Sequence, residues 1–243
     1  MSQLFTKIVK EALKTFDRSN LAAFTSNLAN LKELTNDLSI EDIGINFQLL
    51  KEQISRTCDE NDCPTSPCTY VHIFQNDFLS LSVFILKKDY QMPLHDHPMM
   101  HGLLKPLCGQ LLIQSFTREY ENDTVPVYNP NDLDDIPVIV EKPMIVNEKS
   151  ESIILTPMER NFHEIKALGE VGAFFDILSP PYESELPEYG TRACTFFKKK
   201  SLVYPGKMFL EIIPAPSSYH CNQGEYARPQ FLVDLDRQHS GRL

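Results

Sequence analysis

Apolar residues recur with helical period at the start of the chain. Leu4, Phe5, Ile8, Val9, Ala12, Leu13 and Phe16 fall on one helical face, and Leu21, Phe24, Leu28 and Leu31 form a second stripe. Ser39, with Asp42 three residues later, is a loose capping-box signal for a third, short helix. The pattern predicts two or three helices before about residue 55, packed on the main domain. Residues 56–68 hold three cysteines and two prolines among polar residues and read as a loop. The spacing Cys58-x4-Cys63-x4-Cys68 lacks the CxxC pairs of a structural zinc site.

From Thr69 the pattern changes. Runs rich in Val, Ile, Phe and Tyr, separated by turn residues, predict strands at 70–74, 79–86, 103–116, 138–146, 153–156, 171–178, 193–198 and 208–213. With no helical period between them, they predict a mainly β sandwich or small barrel. The acidic, proline-rich stretch Asn122–Pro143 reads as a long surface connection, and Lys198–Lys200 as a solvated strand end. The turn-rich tail after Pro214 reads as a segment that wraps the barrel or frays.

Composition narrows the partners. The 243 residues suit one large domain or one domain with an appendage. Asp and Glu outnumber Lys and Arg by 33 to 23, a net charge of −10, which disfavours nucleic-acid binding. No apolar run reaches the roughly 18–20 residues that span a bilayer. The N-terminus lacks a basic stretch followed by a continuous apolar one, so no secretory signal is expected. The six cysteines then read as reduced thiols in the cytosol or nucleus. There is no Gly-rich phosphate loop to suggest an organic cofactor.

The chemistry concentrates in Met92–Gln110, MPLHDHPMMHGLLKPLCGQ. On a strand, His95 and His97 point to the same face and can bind one metal, while Asp96 points away. Two structural histidines would give the same pattern. Pro93 and Pro98 bracket the pair. The spacing H-x-H-x4-Gly102-x6-Gly109 resembles the first cupin motif, with Gly102 where most cupins place a glutamate ligand. Pro157–His163 resembles the second cupin motif, off by one residue and without its usual glycine. Together they offer His95, His97 and His163, three neutral ligands and no carboxylate. Three imidazoles leave positions open for substrates. An anionic thiolate would restore the missing charge, and a soft sulfur donor suits Fe(II), so the missing glutamate points towards a thiol substrate.

LHDHPMMHGLLKPLCG, ILTPMERNFHEI, FFDILSPPY and RACTFF together resemble the 2-aminoethanethiol (cysteamine) dioxygenase family, which also contains the plant cysteine oxidases. The resemblance runs from about Thr69 to about Pro214. It implies a cupin-type double-stranded β-barrel (jelly roll), residues 56–243, carrying an N-terminal helical extension, residues 1–55. It implies one non-haem Fe(II) on His95, His97 and His163, and use of O2 to convert a thiol to a sulfinic acid. The implied substrates are cysteamine, giving hypotaurine, and proteins with an N-terminal cysteine, whose oxidation feeds the N-degron pathway in oxygen sensing. A monomer is expected. The net charge would favour peptides with basic residues after the cysteine.

Asp176 and Tyr182 match residues the family places near its substrate. Asp176 could orient a ligand histidine or hold the substrate amine, and Tyr182 could donate a hydrogen bond to bound oxygen or sulfur. Cys194 matches a cysteine that animal members cross-link to a tyrosine two positions on; Phe196 stands there, so Cys194 reads as an ordinary buried thiol. His101 reads as a pocket or core residue and His72 as structural. The competing readings are a small-molecule thiol enzyme rather than a protein-directed sensor, a non-catalytic metal- or ligand-binding cupin module, and a zinc or manganese hydrolase or isomerase on the same fold.

Overall fold

The computed structural model describes residues 2–48, 51–52, 66–119, 135–186 and 190–240. Helix α1 (Gln3–Thr15) starts at Ser2, whose hydroxyl accepts the Phe5 N–H at 3.2 Å. Its stripe of Phe5, Ile8, Val9 and Ala12 is wholly buried. A 3-10 turn (Arg18–Ala23) leads to α2 (Phe24–Asn36). The capping box of Ser39 and Asp42 starts α3 (Ile40–Ile43), and Gly44, left-handed at φ 83°, ends it.

The strands are β1 (Cys68–Gln75), β2 (Ser80–Leu86), β3 (Gln91–Asp96), β4 (His101–Arg118), β5 (Ile136–Val140), β6 (Met144–Val146) and β7 (Ile153–Leu155). They continue as β8 (Phe162–Ser179), the short pair β9 (Glu185–Leu186) and β10 (Gly190–Thr191), β11 (Phe196–Tyr204), β12 (Lys207–Ile213) and β13 (Cys221–Gln223). Helix α4 (Gln230–Ser240) comes last.

The long strands β4 and β8 pair from His101–Ser179 to Phe116–Phe162. From β8 the ladder passes to β3, β11, β12 and β5, and β5 returns to β4, so the sheet closes on itself. Strands β2, β1 and β13 extend it past the second half of β8. The β4–β8 register slips between Pro106 and Gln110, as at a β-bulge. Gly109 sits there at φ +67°, and a Cβ on it would lie 2.3 Å from the carbonyl oxygen of Val171, so no other residue fits unstrained.

The helices bury their stripe against β1, β2 and β8. Phe5, Ile8 and Val9 share one core with Ile73, Val83 and Phe175, and the Phe5 ring meets Phe175 edge-on at 6.0 Å. Each such side chain contributes about 1.5–3 kcal/mol by leaving water. Two further clusters, around Met92, Ile165 and Phe174 and around Leu94, Phe116 and Phe162, flank the histidines. No helix among the described residues is long and apolar enough to cross a membrane.

Several expectations need correction. Leu21 lies in the 3-10 turn at 72% exposure and belongs to no buried stripe. Of the expected surface connection Asn122–Pro143, residues 122–134 lie outside the described residues, and the remainder includes β5, with Val138 fully buried. The run 138–146 is two strands, parted at Pro143, whose missing N–H cannot serve a ladder. The run 193–198 starts later and runs on through Lys198–Lys200, which stand inside β11 in ion pairs with Glu211, Glu164 and Asp135. The tail neither frays nor simply wraps: β13 joins the sheet and α4 buries Leu232. Cys68 opens β1 rather than closing a loop, and Cys58 and Cys63 lie outside the described residues.

Candidate metal centre

Strands β3 and β8 run antiparallel with His95 directly opposite His163. Opposed residues share a face, so the pairing alone brings two distant imidazoles together. His97 lies one residue beyond β3, but its N–H still reaches Asn161 O at 3.1 Å, and Asn161 Nδ2 donates back to His97 O at 2.6 Å. This bridge keeps His97 on the same side. The ring centroids stand 5.0 Å (His95–His97), 4.8 Å (His95–His163) and 4.8 Å (His97–His163) apart. One nitrogen from each ring lies within 4.8 Å of the others, and Nε2 of His97 is 3.2 Å from Nε2 of His163.

Two of the outer nitrogens, those of His95 and His97, are committed elsewhere. Nδ1 of His95 donates to the Pro93 carbonyl at 2.9 Å. The Tyr182 hydroxyl donates to the Asp96 carbonyl, so it accepts from Nδ1–H of His97 at 2.8 Å. Both rings therefore hold their proton on Nδ1 and turn a bare Nε2 lone pair inward. Burial pushes His95 down to about 4 and holds His97 and His163 well below the ordinary histidine range. Three neutral, buried imidazoles converging on one point fit a transition-metal cation.

Among the described residues no carboxylate joins them. Asp96 turns away, its Oδ1 accepting the Thr195 N–H at 2.8 Å. Where most cupins place glutamate, a Cβ on Gly102 would sit 2.7 Å from Leu155 Cγ. Leu155 fills the space a longer side chain would need.

The three rings line a cavity of about 520 Å³ with mostly apolar walls, among them Phe84, Met92, Phe174 and Phe196. Asp176 faces into it from β8, and burial pushes its carboxyl up to about 7. Tyr182 also lines the cavity, and its hydroxyl donates to Asp96 O while accepting from Nδ1–H of His97. Cys194 is half-buried in the cavity wall rather than deep in the core, and its thiol meets the Tyr182 hydroxyl. His101 lies outside the cavity lining, packed at 4.8 Å against Phe24.

Arg192, the first residue of RACTFF, has no role assigned from the sequence. Its guanidinium is buried and donates to the carbonyls of Pro98 at 3.1 Å and Pro181 at 2.9 Å, and to Ser184. It ties the loop carrying Tyr182 to the residue after His97. An arginine in a polar loop gives no sequence signal for this.

The PCO_ADO family model matches residues 34–231. The 2-aminoethanethiol dioxygenase of Mus musculus is 29% identical over 261 residues, covering 96% of this chain and 98% of that protein. The 2-aminoethanethiol dioxygenase of Homo sapiens is 34% identical over 197 residues, covering 75% of this chain and 68% of that protein. Plant cysteine oxidase 1 of Arabidopsis thaliana is 28% identical over 179 residues, covering 70% of this chain and 54% of that protein.

Proposed function

The chain belongs to the PCO_ADO family and is a thiol dioxygenase; from that premise we propose that His95, His97 and His163 hold one Fe(II). We further propose that it oxidises cysteamine to hypotaurine and N-terminal cysteines of proteins to sulfinic acids. The observation that carries this is the convergence of three buried, neutral imidazoles, joined by no carboxylate ligand among the described residues, in a cavity with mostly apolar walls.

When bound, Fe(II) supplies a Lewis-acidic, redox-active centre where a thiol loses its proton and passes electrons to dioxygen. The net reaction is RSH + O2 → RSO2H: both oxygen atoms end on sulfur, and no external reductant is needed. Pro93 O and Tyr182 hold His95 and His97 with Nε2 inward. Cysteamine and an N-terminal cysteine share one unit, an amine two carbons from a thiol. The Asp176 carboxylate accepts hydrogen bonds from that ammonium group and so aims the sulfur at the histidines. The ammonium also holds the carboxyl ionised where burial alone would raise it. Apolar walls keep bulk water from the reacting sulfur.

The acidic surface favours peptides with basic residues after the cysteine. Residues 1–55 act as a helical extension of a dioxygenase unit at 56–243. The reading is of a monomer in the cytosol or nucleus that senses oxygen through the N-degron pathway and binds no nucleic acid. The test is oxygen uptake with protein loaded in turn with Fe(II), Zn(II) and Mn(II), with cysteamine and a Cys-initiated peptide as competing substrates. Uptake with Fe(II) alone and mutual inhibition are expected. Equal uptake with Mn(II), or additive rates for the two thiols, would overturn the metal or the shared site.

A further inference from the structure

Strand β13 joins the sheet parallel to β1, and this register sets Cys221 opposite Cys68. Opposed residues on neighbouring strands stand about 5 Å apart, within the roughly 4.4–6.8 Å Cα separation of disulfides. The two thiols are free, and the register places their side chains next to each other. Around them, Ser66 Oγ bonds to Cys68 O at 2.9 Å and also to His220 O, so the strand ends are held together independently of the sulfurs. Cys68 is buried at 1% exposure, whereas Cys221 is half-buried and lines the histidine cavity beside Tyr219. The other described thiols have different neighbours: Cys108 reaches Val171 O and Cys194 reaches Tyr182.

A thiol exposed to a cavity, with a second thiol buried behind it, has the layout of an attacking and a resolving cysteine. The contact from the Cys68 thiol lowers the pKa of Cys221, while the same contact and burial raise that of Cys68, so Cys221 ionises first. We propose that Cys68 and Cys221 form a redox dithiol that reduces small disulfides entering the histidine cavity, with Cys221 attacking and Cys68 resolving.

The Cys221 thiolate attacks one sulfur of a disulfide RSSR. A bond forms from Cys221 Sγ to that sulfur, the S–S bond of RSSR breaks, and RS⁻ leaves to take up the proton that Cys221 lost. The Cys68 sulfur then attacks Cys221 Sγ, its proton passing to the departing second RS⁻. Two cysteine thiols lose two electrons and two protons, and one RSSR becomes two RSH. This chemistry needs no metal. It rests on the thiol dioxygenase reading only in that the RSH appears in the cavity where thiols are oxidised.

The test uses Fe(II)-loaded, full-length protein, reduced, freed of reductant and mixed with cystamine without oxygen. Two equivalents of cysteamine per chain are expected, with the protein lighter by two hydrogens. Peptide mapping, with fragmentation that separates Cys68 from Cys58 and Cys63, should show a Cys68–Cys221 link. Cys68→Ser should release one equivalent and retain a cysteamine on Cys221. A mixed disulfide that persists on the wild type, or reaction only after unfolding, would overturn the proposal. If Cys68→Ser fails to fold, the wild-type map decides alone. Because oxygen is absent, failure here is distinct from failure of the dioxygenase reading.

Discussion

The phenol of Tyr182 stands 2.8 Å from Nδ1 of His97 and donates its own proton to the carbonyl of Asp96. A hydroxyl whose proton is committed to a carbonyl can only accept from the ring. That fixes the His97 tautomer and aims Nε2 at its two partners. Tyr182→Phe should therefore weaken metal affinity about 10–100-fold. It should also cost about 1–3 kcal/mol of stability through the orphaned Asp96 carbonyl. Competitive metal titration and denaturant unfolding read the two effects separately.

Asp176 offers the cavity a carboxyl that burial pushes up to about 7. Asp176→Asn keeps its shape and removes its charge. The kcat/KM for cysteamine should fall about tenfold or more, the equivalent of 1.4 kcal/mol, mostly through KM. A thiol of the same length without an amine should be unaffected. Equal losses for both thiols would assign Asp176 to the iron side of the site instead.

Metal uptake should be nearly independent of pH between 6 and 8. Protons compete with metal only at ligands that are protonated. The folded-state values of His95 (about 4), His97 and His163 lie below that range, so all three are already neutral. Exposed histidines near 6.5 would instead lose affinity as pH falls through 7 to 6. Calorimetric titrations in buffers of different ionisation heat should show almost no proton release.

Two glycines on the long strands give a matched pair. Gly109→Ala forces a Cβ to 2.3 Å from Val171 O, at φ +67°, whereas Gly169 at φ +73° has open space around it. Gly169→Ala should cost about 1 kcal/mol, and Gly109→Ala about 3 kcal/mol or more, since backbone must move as well. Chemical denaturation of both variants checks the difference.

What the sequence made legible was local. The stripe of Phe5, Ile8, Val9 and Ala12 and the Ser39–Asp42 box depend on spacing alone, and both form as read. The His95–x–His97 pair was legible for the same reason. The position of His163 rested on a resemblance, because its meeting with His95 is a register between strands far apart in the chain. The start of β5 was obscured by Pro137 and its acidic flank, although the run from Val138 was read as strand; Pro137 nonetheless pairs with Phe209 of β12. Helix α4 was hidden by its polarity, since of its described side chains Leu232 alone is fully buried. The roles of Tyr182 and Arg192 depend on how one loop returns to another, and no spacing rule carries that.

The most direct test of the account is mass spectrometry of cysteamine and of a Cys-initiated peptide after incubation of Fe(II)-loaded protein with isotopically labelled dioxygen. The account predicts two labelled oxygen atoms on the thiol, and none with His95→Ala, a variant that should stay folded but lose iron. Iron held by the three histidines with no oxygen gained on either thiol would contradict it.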